Sequence, residues 1–174
     1  MTSEARVVEV PGGGRIEVAP HHCFACGTLN THGIGLVLHV GADRAWTEVA
    51  LPPRFQGWDE IAHGGIICTI LDEVMAWSLA GADNWGVTAR MAVEFRKPVA
   101  LDVPIRAEGW ITRVRRRIID TEAAIVDLAS GDTLATATGV YVAADEARKS
   151  QLRARYTFRP AVGIASPGPV DGAS

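Results

Sequence analysis

One stretch decides the fold of this chain: His63-Gly64-Gly65-Ile66-Ile67-Cys68-Thr69-Ile70-Leu71-Asp72-Glu73. It begins with a glycine pair, and its apolar residues continue on most faces of a helix that the pattern predicts over 65–79. A helix that is apolar nearly all round is typical of a buried core helix. Asp72 and Glu73 interrupt this pattern, and ionised carboxylates are rarely buried without a partner or a chemical role.

The predicted helix also has a narrower face of small and polar residues: Thr69, Asp72, Glu73, Ala76 and Ala80. The bulky face is expected to pack against a large apolar surface, while the narrow face leaves room for a ligand or a second backbone. In an alternative interpretation, the two carboxylates lie at the rim of the core and pair with arginines. The glycine pair favours a chemical role, because free N–H groups at a helix start can hold a developing negative charge.

A carboxylate that acts as a general base and an oxyanion site can together be sufficient to hydrolyse an activated acyl group. A thioester suits such a site, because its leaving thiolate needs little or no protonation. No Gly-x-Ser-x-Gly motif occurs in the chain, and this chemistry does not require a serine triad.

The composition is that of one globular domain: 174 residues, 48% hydrophobic and 21% charged, with a net charge of −3. The mild acidity argues against nucleic-acid binding through bulk charge. The apolar runs are too short to predict a membrane span, and the N-terminus lacks the pattern of a secretory signal. We therefore expect a cytoplasmic protein without a nucleic-acid or membrane partner, whose three cysteines remain thiols.

Period-two patterns predict six strands around the helix. Two precede it, at 34–40 and 45–51, and four follow it, at 87–95, 103–111, 118–128 and 133–143. In the first strand after the helix, the predicted buried face consists of Val87, Ala89, Met91, Val93 and Phe95. One buried helix against an antiparallel sheet is an α+β arrangement.

The predicted domain covers residues 21–145. Residues 1–20 are expected to form an irregular N-terminal arm, because they contain Pro11-Gly12-Gly13-Gly14 and show no sustained period. Residues 146–174 are expected to begin with a short charged helix and to end as a flexible tail, since proline, glycine and small residues prevail from Pro160 onward.

Three local patterns carry a resemblance to a known family. They are Cys23-Phe24-Ala25-Cys26-Gly27-Thr28-Leu29-Asn30 leading through Gly33 to Gly35-Leu36, Gln56-Gly57 leading through His63-Gly64-Gly65 to Asp72-Glu73, and Phe95-Arg96-Lys97-Pro98. With this order of elements, residues 23–143 resemble the hotdog-fold acyl-CoA thioesterase superfamily, most of all its phenylacetate-pathway-like (PaaI-type) branch.

The resemblance implies a hotdog fold, in which an antiparallel sheet wraps around the long helix, and it implies four catalytic residues. Asp72 matches the acidic residue that acts as base or nucleophile, and Gly64 matches the residue whose N–H polarises the thioester carbonyl. Thr88 matches the hydroxyl residue that assists the attacking water. Gln56 stands near the position where many relatives have an asparagine.

Substrate-binding roles are predicted for a second group of residues: His63, Gly65, Glu73, Arg96, Arg115 and Arg116. The side chain of His63 is expected to anchor the loop before the helix. The arginines suit the phosphates of coenzyme A, although a solvated turn explains the cluster at 113–117 equally well. Three tryptophans flank the helix and either line an acyl pocket or pack in the core: Trp58, Trp77 and Trp85.

A zinc site is one interpretation of Cys23-x-x-Cys26, which has His21, His22 and His32 nearby. A complete site needs further converging ligands, and the chain has no second cysteine pair. We therefore predict a packed loop here, with no metal site and no cofactor, since coenzyme A is part of the substrate.

The predicted function is hydrolysis of an acyl-CoA thioester to a carboxylic acid and free coenzyme A. The alternatives are a noncatalytic acyl-CoA-binding or sensing protein and a hotdog-type enoyl-CoA hydratase, whose Asp/His pair is not found. Gly64 and Asp72 are separated by about 12 Å along one helix. We therefore expect a homodimer, or a tetramer built as a dimer of dimers, with an active site shared between two chains.

Overall fold

The computed structural model describes residues 6–10, 14–81 and 84–156. Within these ranges the strands are β1 (Arg6–Val10), β2 (Gly14–Val18), β3 (His39–Val40), β4 (Arg44–Ala50), β5 (Gly86–Phe95), β6 (Pro104–Arg115), β7 (Ile118–Asp127) and β8 (Thr133–Ala143). The helices are α1 (Gly64–Gly81) and α2 (Glu146–Tyr156), and a short 3-10 turn covers Pro53–Phe55.

Six of these strands form one antiparallel sheet in the order β3-β4-β6-β7-β8-β5, and β1 pairs with β2 in a separate two-stranded sheet. Helix α1 packs across the large sheet and contacts all of its strands. The α+β prediction is therefore confirmed. The predicted helix and the last five predicted strands match α1, β4, β5, β6, β7 and β8 within a few residues at each end.

Helix α1 lies very close to the sheet. Its buried side chains are Ile67, Ile70, Leu71, Val74, Met75, Ser78 and Leu79. Gly109 on β6 permits this approach, because a Cβ atom there would lie 2.7 Å from the backbone of Val74 and Met75. On the same strand, Ile105 and Ala107 are buried as the alternation predicts. The core is thus the layer between α1 and the concave face of the sheet.

Two predictions about the N-terminal half are wrong. Residues 6–10 and 14–18 are not irregular, because they pair as a hairpin, and each strand is too short to show a sustained period in the sequence. Residues 34–38 do not form a strand, although Ile34, Leu36 and Leu38 are buried in alternation. The N–H groups of Ile34 and Leu36 donate to carbonyl groups of the 23–26 loop, so only His39–Val40 pairs with β4.

The prediction of a buried face on β5 is only partly correct. Met91 and Val93 are half-buried, but Val87 is 71% exposed and Phe95 is 56% exposed. The physical reason is that β5 is an edge strand, whose free side has no neighbour within the described part of the chain. A long edge strand with exposed apolar side chains is a typical site for pairing with another chain.

The expectation that the apolar runs are too short to span a membrane is not met by α1. By length and composition alone, its 18 residues with a mean hydropathy of 1.3 are sufficient to cross a membrane. The same test is passed by core helices, and α1 packs on the sheet as one. The predicted charged helix near the C-terminus is confirmed as α2. The predicted tail from Pro160 lies outside the described residues.

Candidate functional site

The Asp72 carboxylate is held between α1 and the sheet by two hydroxyl groups. Thr88 Oγ1 donates to Asp72 Oδ1 over 2.7 Å, and the hydroxyl of Tyr141 donates to the same oxygen over 2.8 Å. Tyr141 also donates to the backbone carbonyl of Asp72 over 3.0 Å. Both side-chain donors contact Oδ1, and Oδ2 has no donor within the described part of the chain, so it can accept a hydrogen bond from water.

A β-bulge aims Thr88 at this carboxylate. Thr88 pairs with Tyr141, but the pairing shifts before Arg90, which lies opposite Val140. Met91 then faces Gly139, so Thr88 and Met91 are on the same side of the strand although they are three residues apart. Strict alternation would put them on opposite faces. Bulges that redirect a side chain are common beside active sites.

Tyr141 is fully buried and is a permanent donor to Asp72. Burial raises the pKa of its phenol well above the ordinary value of 10, and the neighbouring charge of Asp72 adds to this shift. The hydroxyl therefore stays protonated at any pH at which the protein is expected to work. Its function at this position is to fix the orientation of the carboxylate.

The start of α1 exposes the second predicted catalytic group. The N–H of Gly65 donates to Nδ1 of His63 over 2.9 Å, so the His63 side chain caps the helix and has the anchoring role predicted for it. The N–H of Gly64 has no acceptor among the described residues, and Gly64 is exposed. A free N–H at a helix start is suited to stabilise an oxyanion.

A cavity of about 250 Å³ lies beside α1, and Glu73, the residue after Asp72, is part of its wall. Its apolar wall includes Trp77, Trp85, Val87 and Leu152. Trp77 and Trp85 line this cavity, whereas Trp58 is 83% exposed and does not; that the tryptophans line an acyl pocket stays a prediction. Burial raises the pKa of Glu73 to about 7, and the neighbouring Cys23 adds to the shift.

Known proteins resemble this chain in sequence and in fold. The model of the Thioesterase superfamily matches residues 60–133, and no curated protein matches the chain. The crystal structure of RHA08564, a thioesterase superfamily protein, is 27% identical with a TM-score of 0.67. That alignment covers 72% of this chain, which spans only 62% of the length of that relative. Residues 60–133 thus resemble the thioesterase superfamily, which supports the suspected relationship to the hotdog-fold thioesterases.

Two more distant structures show the same fold. A hypothetical thioesterase from Streptococcus pneumoniae TIGR4, solved with coenzyme A, is 17% identical, covers 59% of this chain and 80% of its own, and has a TM-score of 0.57. The PaaI protein from the phenylacetic acid degradation operon of E. coli is 15% identical, covers 59% and 73%, and has a TM-score of 0.56. The predicted hotdog fold is therefore confirmed.

The predicted site residues lie in separate parts of the fold. Gln56 is exposed, and its side-chain oxygen accepts the N–H of Glu60 over 3.2 Å, so it stabilises its own loop. Arg96 follows β5, where its N–H donates to the carbonyl of Leu134 at the start of β8. Arg115 and Arg116 are in the β6–β7 turn, beside Val142 at the opposite end of β8.

The structure thus brings Thr88 to Asp72 and keeps Gly64, Gln56 and Arg96 away from it within one chain. About 27 Å of strand separates Leu134 from Val142. Both turn arginines remain exposed, and Arg115 pairs with Asp120 over 2.9 Å. The roles of all these residues in catalysis and binding stay predictions.

The sequence analysis missed Tyr141, although a signal for it was present. The inward face of β8 carries small residues that accommodate α1, namely Ala135, Ala137, Gly139 and Ala143. Tyr141 is the one large residue on that face and the one with a polar group. A hydroxyl group placed against the middle of a core helix needs a buried partner there, which is Asp72.

Proposed function

We propose that this protein is a thioesterase that hydrolyses an acyl-CoA thioester to a carboxylic acid and free coenzyme A. The observation that carries the proposal is the carboxylate of Asp72, which two hydroxyl donors orient in the middle of an apolar core helix. A carboxylate held in a fixed orientation on an otherwise apolar core helix is a candidate functional group.

In the proposed reaction, a water molecule attacks the thioester carbonyl while Asp72 accepts one of its protons. The N–H of Gly64 stabilises the negative charge that develops on the carbonyl oxygen. The tetrahedral intermediate then collapses and releases the thiolate of coenzyme A, for which protonation is not needed. The attacking water and the oxyanion donor must both lie about 3 Å from the reacting groups.

This requirement favours an active site built from two chains. A Cβ atom on Gly64 would lie 3.4 Å from Phe95, so the helix start is beside the end of β5, whereas Asp72 contacts Thr88 near the beginning of β5. Suppose that two β5 edges pair antiparallel about a twofold axis near Met91. Thr88 of one chain then approaches Phe95 of the partner subunit, and Asp72 approaches the partner's Gly64.

The same pairing would unite the two groups of arginines. Arg96 lies at the Phe95 end of β5, and the turn with Arg115 and Arg116 lies at the Thr88 end of the sheet. Across the twofold axis, these positive charges would surround one shared site and could bind the phosphates of one coenzyme A molecule. The exposed side chains of Val87 and Phe95 would be covered in such a dimer.

The direct test is the variant Asp72→Asn, assayed by chromatographic detection of free coenzyme A over a panel of aliphatic and aromatic acyl-CoAs. We expect turnover to fall by about 10²- to 10⁴-fold, the usual cost of losing a general base. Asp43→Asn, an exposed carboxylate in the β3–β4 turn, is the matched control and should keep full activity. A thermal melt verifies that both variants are folded.

Near-normal turnover by a folded Asp72→Asn variant would contradict the proposal. If the wild-type protein binds acyl-CoAs but releases no coenzyme A from any of them, the noncatalytic acyl-CoA-binding alternative is favoured.

A further inference from the structure

We propose that Cys23, Cys26 and Glu73 form a binding site for one Zn²⁺ ion. Their ligand atoms, two sulfurs and one carboxylate oxygen, all lie within 4.8 Å of one another. Cys23 Sγ is 3.8 Å from Oε2 of Glu73. In a tetrahedral site with Zn–S distances of about 2.3 Å and Zn–O distances of about 2.1 Å, neighbouring ligand atoms are separated by roughly 3.5–3.8 Å. Small side-chain movements would therefore complete the site.

The loop around the cysteines presents both sulfurs to the same point. The N–H of Gly27 donates to the carbonyl of Cys23 over 2.9 Å, which closes a tight turn. Only glycine fits there, because a Cβ atom would lie 2.4 Å from the N atom of Cys23 and from the carbonyl oxygen of His21.

The third ligand comes from far away in the sequence. Glu73 is on α1, fifty residues after Cys23. The indole N–H of Trp77 donates to its Oε1 over 2.8 Å and orients the carboxylate, whose two oxygens lie 3.9 and 3.8 Å from Cys23 Sγ. Such outer partners of a ligand are characteristic of metal sites. The sequence shows no further converging ligand for the cysteine pair, and in the structure Glu73 supplies one.

His21 acts as a further outer partner in this arrangement. Its Nδ1 accepts the N–H of Cys23 over 3.3 Å, so the ring proton of the neutral imidazole is on Nε2. Nε2 lies 3.9 Å from Cys26 Sγ, so it would donate to the thiolate that Cys26 becomes when the ion binds. The three ligands line the cavity beside α1, which leaves the fourth coordination position for a water molecule or another small ligand.

The donor set identifies the class of metal. Two thiolates select soft or borderline ions over Mg²⁺ and Ca²⁺, and the mixed sulfur and oxygen ligands suit Zn²⁺. When the ion binds, each ligand that carries a proton releases it to the solvent. The ion would connect the 21–27 loop to the core helix, and this role is independent of the proposed hydrolysis.

The experiment uses the full chain without a histidine tag, reduced by a phosphine and freed of metal by a chelator. The probes are Zn²⁺, counted per chain after dialysis, and Co²⁺, which reports thiolate ligation through its charge-transfer absorption. We expect one ion per chain, a thiolate–Co²⁺ band and a higher melting temperature with Zn²⁺. The protein with both cysteines replaced, Cys23→Ser and Cys26→Ser, should lose more than the roughly 10- to 100-fold in affinity that removing an outer partner costs.

Glu73→Gln keeps the shape of the side chain and removes the anionic ligand, so it should bind Zn²⁺ more weakly than the wild type. Cys68→Ser is the matched control, since Cys68 is a thiol on α1 outside the cluster. The proposal is overturned if the folded, reduced wild-type protein binds neither ion, if the doubly substituted protein binds as well as the wild type, or if Cys68→Ser abolishes binding. Zn²⁺ should also protect Cys23 from iodoacetamide in the wild type, a readout that does not depend on the folding of any variant.

Discussion

Asp72, Thr88 and Tyr141 form the smallest unit of this molecule that has an identifiable chemical task. Two hydroxyl donors contact the same carboxylate oxygen, and one of them belongs to a fully buried tyrosine. A hydrogen bond to a charged group contributes about 1.5–3 kcal/mol, which is enough to hold one side-chain rotamer. The two donors therefore fix the orientation of the carboxylate, and its Oδ2 has no donor among the residues that the structure describes.

Removing either hydroxyl group should lower kcat without a comparable change in KM. For Tyr141→Phe and for Thr88→Val we expect losses of about tenfold in kcat, smaller than the loss in Asp72→Asn, because the base remains but is less well oriented. Thr88→Ser retains the donor and should restore most of the activity. The measurement is steady-state hydrolysis of one acyl-CoA at several concentrations.

The same kinetics distinguish positioning from mere stability. Since the pKa of Tyr141 is raised by burial, the tyrosine remains a donor, and the wild-type kcat should show no loss from its ionisation up to pH 10. An equal fall in kcat for Thr88→Ser and Thr88→Val would indicate that packing, and not the hydroxyl group, matters at this position.

Some residues of the two candidate sites can be recognised from the sequence, and others cannot. Asp72 can be recognised directly, because a carboxylate is unusual in a helix of mostly apolar residues. Thr88 was predicted only through the family resemblance, since regular alternation groups it with Arg90, Ala92 and Glu94. The bulge that turns it toward α1 arises from the pairing of β5 with β8 and leaves no local signal. Cys23 and Glu73 could not be linked either, because no sequence pattern reveals a contact across fifty residues.

At the scale of elements, the local sequence pattern predicts some helices and strands, while others depend on the backbone groups with which they pair. Helix α1 and the hairpin of β7 and β8 follow from periodicity and turn residues, and both predictions are confirmed. The segment at 34–38 has the alternation of a strand, but its N–H groups bond to the 23–26 loop. Alternation therefore predicts which side chains are buried more reliably than it predicts which backbone groups pair.

The β6–β7 turn is the element with the clearest predicted function beyond catalysis. Replacing both Arg115 and Arg116 with alanine should raise KM for an acyl-CoA by roughly 5- to 30-fold, if each exposed contact to a phosphate contributes about 0.5–1 kcal/mol. The effect on kcat should be smaller, because phosphate contacts hold the substrate and the transition state alike. Added salt should weaken the wild-type affinity more than that of the variant.

A truncated substrate provides the control for this prediction. An acyl-pantetheine has the same thioester and lacks the nucleotide phosphates, so the double variant should hydrolyse it as efficiently as the wild type does. An unchanged KM for the full acyl-CoA would return the two arginines to the interpretation of a solvated turn.

The whole molecule is incomplete as a catalyst if the proposed function is correct. One chain supplies a base at Asp72 and an oxyanion donor at Gly64, but the helix between them separates the two by about 12 Å. Its exposed edge strand β5 extends from the neighbourhood of one group to that of the other. A twofold axis through the middle of that strand would bring Asp72 of each chain close to Gly64 of the partner subunit, which gives two equivalent sites per dimer.

Complementation between two inactive variants tests this arrangement. Gly64→Pro removes the oxyanion N–H, and proline is tolerated in the first turn of a helix, where Gly64 stands. Asp72→Asn removes the base. In a mixed dimer, one site combines both defects, and the other combines the intact Gly64 of one chain with the intact Asp72 of its partner. After subunit exchange in equal amounts, half of the dimers are mixed, so about one quarter of the wild-type activity should return.

The alternative geometries give a different result in the same experiment. If both groups acted within one chain, every chain in the mixture would carry a defect, and no exchange could restore turnover. Mass spectrometry of the intact assembly establishes that mixed dimers have formed, and thermal melts establish that both variants are folded. Verified mixed dimers without activity, or a wild-type enzyme that is active as a monomer, would contradict the shared site. Such a result would leave Asp72 as a candidate base and require another oxyanion donor near β5 of the same chain.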